Sequence, residues 1–351
     1  MSVLYCTNEN SDFQPIINSQ VIPIINEFTD QIYLLTVGKV KLSNRHFIIE
    51  PSNKFLELFK IARFVYLSDC NVIHFRSYWA FIACLFIPKK AKYVWDPRGL
   101  LGEEYKMRKK GLIGSILNIY FNLMELILYR RCDEIVVVSN MYKKHILCKF
   151  KYLKKPIHVI PTYSRMTVSS DIKKNNFKFI YVGSMEDWQR FDDIVLTFKS
   201  IQQGFPQSKF MIVTKDIDKA KDIIELHGVE ISSVEILSCH NTAVSHYISD
   251  ANFAFIFRDY NILNKVAAPI KISEYLDCNL YVLYKGLLGD YNHKLKVNDV
   301  GYDCQYSDGI LDWISNKKDN HLINGSQYTY NFKDVLSKYD EIWFKNDFII
   351  K

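Results

Sequence analysis

The sequence predicts an α/β protein built from two doubly wound parallel sheets. Three observations carry that expectation. Strand-like and helix-like apolar patterns alternate along almost the whole chain, one polar stretch interrupts them near the middle, and 351 residues exceed what one small core needs.

In the first half the strand-like runs are "SVLYCT", "QIYLLT", "HFIIE", "NVIHFR", "KYVWDP", "EIVVVS" and "IHVIPT". Helical patterns fill residues 14–28, 53–65, 78–87, 103–130 and 140–150 between several of them. This βαβ rhythm is that of a parallel sheet covered on both faces. The polar run "TYSRMTVSSDIKKNN", 162–176, reads as a linker. The rhythm restarts with "FKFIYVG", "KFMIVT", "VEILSC", "ANFAFIFR" and "LYVLYK", separated by helical patterns. The expected organisation is an N-terminal Rossmann-like domain over 1–165, a second over 175–330, and a terminal helix over 331–351 that packs back on the first through Ile342, Trp343 and Phe344. Ligands of open α/β sheets bind beyond the carboxyl ends of the strands, so two such sheets predict a ligand cleft. The first strand is followed by "YCTNENSDFQP", which has no glycine, and this argues against a dinucleotide held in the usual way.

Composition narrows the class. At 48% hydrophobic and 24% charged, the chain is globular rather than disordered. Eight cysteines stand singly without a C-x-x-C pair, as expected for reduced thiols of a cytoplasmic protein and not for a disulfide frame or zinc site. The start, "MSVLYCTNEN", lacks the basic region and apolar core of a signal peptide. Residues 111–128 form an apolar helical segment, but Ser115, Asn118, Asn122 and Glu125 interrupt it, so a buried or interfacial helix is expected rather than a span. Lys106, Arg108, Lys109 and Lys110 precede it. They fit either a solvated entry to a core helix or an anionic leaflet, and a net charge of +7 is only mildly basic. Asp216 and Asp218 form a D-x-D element between a strand and a helix, where N-capping is the expected role and a metal site is not. His74 reads as a core histidine.

The stretches "FQPIINSQVIPII", "VIHFRSYWA", "YVWDPRGLLGEE", "DEIVVVSNMYKKHI", "VIPTYS", "YVGSMEDWQRFDDI" and "RDYNILNKVAAPIKISEYLDCNLYVLYKGLLGD" occur in an order and spacing that resembles the family 4 glycosyltransferases of the GT-B fold. The likeness is greatest to bacterial enzymes of surface-polysaccharide assembly (O-antigen, lipopolysaccharide, capsule) and covers nearly the whole length. It implies two Rossmann-like domains facing across a cleft. It also implies retaining transfer of a hexose-type sugar from a nucleotide-sugar donor to a saccharide acceptor, including lipid-diphosphate-linked ones. No cofactor, essential metal or nucleic-acid partner is expected, and the implied place is the cytoplasm, at the inner face of the plasma membrane. Two other readings stand beside this one: a nucleotide-sugar 2-epimerase of the same architecture, and a non-catalytic nucleotide-sugar-binding subunit.

With that resemblance, the 266–282 stretch reads as a donor seat. Pro269 suits the first helical position, and the free N–H groups near Ala268 with the helix dipole favour a diphosphate. Lys271 adds a positive charge. Glu274, roughly 7.5 Å further along the axis at about 1.5 Å per residue, is placed to accept from ribose hydroxyls. An exposed Lys–Glu pair worth little is the plain alternative. The family's earlier glutamate falls on Val266, a departure that puts donor-sugar recognition in doubt; Asn261, Asn264 or amides near Ala267 are candidate substitutes. Gly183 and Ser184 open the first loop of the second domain. Arg190 matches the later of the family's two basic positions there, Ser184 replaces the earlier one, and Arg258 is an additional cation. In the first domain Asp96 and Arg98 of "WDPRG" are expected to orient the acceptor or the donor sugar, with Gly99 allowing close approach. Glu103 and Glu104 are read as charges at a helix start. The expected catalytic group is Asp96, Arg98, Arg190 and Lys271. The donor-binding group is Gly183, Ser184, Arg190, Arg258, Ala268, Lys271 and Glu274.

Overall fold

A computed structural model describes all residues except 11–16, 29–30, 110, 153, 167–176, 241–242, 306–307, 319–322 and 346–351. Most of the polar linker, Lys110, the start of the 14–28 helix and the tail past 345 therefore lie outside the described residues. The chain divides into two compact units, Met1–Pro161 with Lys333–Lys351, and Thr162–Phe332.

The first unit holds seven parallel strands. They are β1 (Val3–Asn10), β2 (Ile32–Val37), β3 (His46–Ile49), β4 (Val72–Arg76), β5 (Lys92–Asp96), β6 (Glu134–Val137) and β7 (Ile157–Val159), arranged in the order β3-β2-β1-β4-β5-β6-β7. All seven coincide with apolar runs of the sequence. Parallel strands are covered on both faces and so read as continuous hydrophobic segments, as β4 and β5 do, every residue being buried. The chain order reverses between β1 and β4. Asn8 and Ser77, just beyond or near the ends of those strands, meet at that point through Ser77 Oγ–H to Asn8 Oδ1 at 2.5 Å.

The expected helix over 103–130 is two helices, Leu101–Arg108 and Leu112–Arg131. Gly111, at φ +83°, turns the chain between them, a backbone region that a side chain disfavours. Gly102 brings the pair close: a Cβ there would lie 3.2 Å from the Asn118 carbonyl.

The terminal segment is anchored in the first unit. Trp343, 1% exposed, lies edge-on to Tyr5 and Phe28 and donates its indole N–H to His74 Nδ1 at 3.3 Å. Lys338 donates to the Val159 carbonyl at 2.8 Å. Buried Lys92 donates to the Ile342 carbonyl at 2.6 Å and pairs with Glu134 at 2.7 Å. Burial alone would raise the Glu134 pKa, but His158 and Lys92 outweigh it and hold the carboxyl below its ordinary 4.5. A depressed folded value stabilises the fold above the unfolded pKa, and that contribution disappears as pH falls through the folded one. Glu134→Gln should therefore lower the melting temperature near neutrality and flatten its decline below pH 4.5. Melting curves of both proteins across the acid range check this.

The second unit carries six parallel strands: β8 (Lys178–Val182), β9 (Lys209–Val213), β10 (Val234–Leu237), β11 (Phe253–Phe257), β12 (Tyr281–Lys285) and β13 (Gly301–Asp303), in the order β10-β9-β8-β11-β12-β13. Five are the apolar runs of the sequence. The sixth, β13, is three half-buried residues at the sheet edge, too short and too polar to give a periodic signal. Phe179, Phe198, Phe210, Phe253 and Phe255 fill one side of the sheet with mutually packed rings. The order reverses between β8 and β11, and that crevice, beyond the strand ends, is where an open α/β sheet binds a ligand.

Candidate functional site

The loops on either side of this reversal are Gly183–Arg190 after β8 and Arg258–Pro269 after β11. Every expected donor residue lies on them or on the helix that follows. The first loop is held from below: Tyr181 donates to the Ser184 carbonyl at 2.7 Å and Gly183 N–H to the Val213 carbonyl at 3.1 Å. Asp216 stands at the N-cap position of helix Ile217–Leu226 but makes no side-chain cap. Its Oδ2 instead accepts the Met185 N–H at 2.9 Å, fixing the same loop.

The second loop ends in helix Ile270–Asp277. Pro269 is the N-cap residue of that helix, one position before the expected first turn, with φ −63° and ψ 119°. The shift by one preserves the chemistry, because Ile270 and Lys271, just behind it, are first-turn positions whose N–H groups have no intrahelical acceptor. Lys271 and Glu274 do form the plain pair: Nζ lies 2.7 Å from Oε2, with side chains 29% and 13% exposed. Beyond this ion pair the buried Oε2 has no further partner among the described residues. A carboxylate with a single ammonium partner keeps lone pairs that ligand hydroxyls can use.

Two glycines of "KGLLGD" shape this loop, and the sequence reading gave them no role. Gly286 has φ +90° and Gly289 has φ +61°. A Cβ would fall 1.8 Å from the Arg258 carbonyl oxygen at the first and 1.9 Å from that of Ala267 at the second. Each allows backbone to lie against the loop that carries the cation or the helix entry. Gly289→Ala should cost on the order of 2 kcal/mol or more in urea denaturation, since both the left-handed conformation and the close approach are lost.

The cations differ in how they are neutralised. Arg190, with φ +51°, is the N-cap of helix Phe191–Gly204. Its Nε donates to Asp193 at 2.7 Å and its Nη1 to Asp259 at 3.1 Å. The hydrogen bond it donates to Asp193 is the main reason its pKa is raised. Lys285 adds a contact to Asp193 at 3.3 Å. Two carboxylates thus occupy the fork expected to face a phosphate. Arg258, at the end of β11, makes no ion pair among the described residues. It donates to Gln189 Oε1 and lies 4.8 Å from the Trp188 ring centroid. Burial lowers its pKa from 12.5, the mark of a guanidinium with little compensating charge. Gln189 and Trp188 were not singled out in the sequence; their shared neighbour Arg258 is 69 or more residues away, which no local pattern reveals.

The proposed substitutes for the missing glutamate are engaged elsewhere. Asn261 Oδ1 accepts the Asn264 N–H at 2.9 Å and caps a short helix, while Asn264 Nδ2 donates to the Asp259 carbonyl at 3.0 Å. Val266 is 2% exposed, so that position belongs to the core.

In the first unit Asp96 is fully buried at the end of β5, with Oδ2 3.4 Å from Arg98, 3.7 Å from His74 and 3.8 Å from Arg76. Burial would raise its pKa, but Arg98, His74 and Arg76 together lower it. Its Oδ1 is buried with no hydrogen-bond partner among the described residues. Arg98 has φ +64°, and the Tyr142 hydroxyl holds its loop by donating to the Gly99 carbonyl at 2.6 Å, with the Tyr78 hydroxyl 3.0 Å from the same oxygen. Arg76, which also contacts Glu9 at 3.4 Å, was not anticipated; it ends β4, beside the reversal point of this sheet. His74 stacks on Tyr5 and accepts from Trp343, and burial lowers its pKa, keeping the ring neutral. Glu103 accepts from Asn118 at 3.0 Å, and burial raises the pKa of Glu104; both stand in the first turn of their helix.

Comparison with known proteins defines the class. Sucrose-phosphate synthase of Thermosynechococcus elongatus superposes with a TM-score of 0.72 at 11% identity, covering 98% of this chain and 99% of that one. HepE of Anabaena, in complex with UDP, gives 0.70 at 14% identity over 99% and 100%. WaaG, a glycosyltransferase involved in lipopolysaccharide biosynthesis, gives 0.66 at 14% identity over 98% and 100%. At such identities these likenesses show the fold, and the fold is GT-B. Residues 26–162 match the model Glycosyltransferase Family 4. That stretch therefore carries the Glycosyltransferase Family 4 pattern, and with the GT-B fold it marks the chain as a glycosyltransferase. No curated protein matches its sequence.

Proposed function

We propose that the chain transfers a hexose-type sugar, with retention at the anomeric carbon, from a nucleotide diphosphate to a growing, lipid-linked bacterial surface glycan at the inner face of the plasma membrane. The observation that carries this reading is the reversal point between β8 and β11. There the helix start at Ile270, the Lys271–Glu274 pair and Arg258, which makes no ion pair among the described residues, share two adjoining loops and one helix. The helix terminus and cations suit a diphosphate, and the carboxylate suits ribose hydroxyls. Breaking the glycosidic C–O bond leaves negative charge on the phosphate, where fixed positive charge lowers the barrier. Asp96 and Arg98 orient the acceptor, the leaving phosphate takes the acceptor proton, and neither a cofactor nor an essential metal takes part. The UDP held by HepE and the lipopolysaccharide role of WaaG support a nucleotide donor and a surface glycan.

The test incubates purified protein with a panel of nucleotide sugars, with and without a lipid-linked saccharide extract, and follows free nucleotide and glycolipid. Nucleotide release coupled to a lengthened glycolipid is expected. An epimerised nucleotide sugar formed without acceptor would overturn transfer.

A further inference from the structure

Helix Leu112–Arg131 has its polarity reversed relative to water. Its buried face includes Gly114, Asn118 and Glu125 beside Phe121 and Leu128. The exposed face carries Leu112, Ile113, Ile116, Ile119, Tyr120, Leu123 and Ile127, from 46% to 77% exposed. Their spacings of three and four residues make one continuous stripe along the helix. The inward polar groups are satisfied: Glu125 accepts from Tyr78 and Lys149, and Asn118 donates to Glu103 at 3.0 Å. Inversion is thus built into the packing. Such a helix is stable where its outer medium is apolar.

We infer that this face docks the protein on a bilayer containing acidic phospholipid. Charge selects that occupant. Lys106, Arg108 and Lys109, all exposed, stand at the end of the preceding helix, which packs against this one through Gly102 and Asn118. An apolar stripe beside a cationic cluster is the arrangement that lies in the headgroup boundary of an anionic leaflet. The helix is long and apolar enough to cross a membrane. Its inner face, however, is held to the protein through Glu125, Asn118 and Gly114, so it lies on the surface. The Tyr78 hydroxyl, whose single proton goes to Glu125, also lies 3.0 Å from the Gly99 carbonyl, bringing the docking helix beside the Arg98 loop. That contact would place the acceptor side of the first unit at the lipid boundary, and this part rests on the lipid-linked acceptor proposed above.

The experiment floats the full chain with phosphatidylcholine vesicles, with and without phosphatidylglycerol, at low and high salt. Binding to the acidic vesicles, weakened by salt, is expected. Ile116→Asp with Leu123→Asp should reduce partitioning on the order of 100-fold, since two aliphatic side chains that would enter lipid are exchanged for charges. Nucleotide binding, titrated on the same variant with UDP, should stay as in the unmodified chain. Equal vesicle binding by variant and parent, or no binding by a parent that binds UDP, would overturn the docking surface while leaving the donor reading intact. Dimers that dissociate in the variant, without vesicle binding, would assign the face to a second copy and equally overturn it. Loss of UDP binding in the parent would instead count against the donor site.

Discussion

Glu274→Ala should weaken nucleoside diphosphate binding by about 10–100-fold, the effect of removing one or two charge-assisted hydrogen bonds from a half-enclosed site. Calorimetric titration with UDP, GDP and ADP measures it. The rival account is that Glu274 serves only to pair with Lys271, which it touches at 2.7 Å. The two accounts separate cleanly. If the pair is structural, either alanine changes stability by at most about 1 kcal/mol and leaves affinity alone. If the carboxylate binds ribose, Glu274→Ala loses affinity for every nucleotide. Lys271→Ala then loses affinity in proportion to phosphate charge, so diphosphates suffer more than a nucleoside. The second account makes use of the carboxylate lone pairs that Lys271, its ion-pair partner, leaves over.

Much of this architecture is legible in the sequence for a definite physical reason. Strands such as Phe253–Phe257 are buried on both faces, so each appears as an unbroken apolar run whose order along the chain fixes the sheet. β13 was missed because an edge strand of three half-buried residues needs no such run. The loops that carry the candidate site were legible too, since they must follow strands at a topological reversal. What the sequence could not show is which charges remain available. Arg190 looks free in "DWQRFDD", yet it is bound by Asp259, 69 positions away, while the Arg258 side chain meets Gln189 and Trp188 and no carboxylate pair among the described residues. The direction of the apolar helix was hidden for a related reason. Hydropathy measures how apolar residues 112–131 are, whereas the face that meets the core depends on partners such as Tyr78, Glu103 and Lys149.

That difference between the two arginines sets the sharpest kinetic expectation. A cation assists phosphate departure only with charge that is not already spent on a neighbouring anion, because the transition state must gain what the ground state lacks. Arg190 sits between Asp193 and Asp259, whereas Arg258 faces an amide oxygen and an indole ring. Arg258→Gln should therefore lower kcat by roughly 100-fold to 1000-fold, in the range seen when a preorganised electrostatic donor is removed. Arg190→Gln should lower it by less than about 10-fold, and mainly through looser packing of the loop, which a fall in melting temperature would register. Gln189→Leu supplies an internal control. It leaves the Arg258 charge in place but removes its hydrogen-bond partner, so kcat should fall less than in Arg258→Gln while KM for the donor rises. Equal losses in both arginine variants would mean that the Asp193–Arg190–Asp259 cluster opens when donor binds, and the assignment of the diphosphate to Arg258 would not survive.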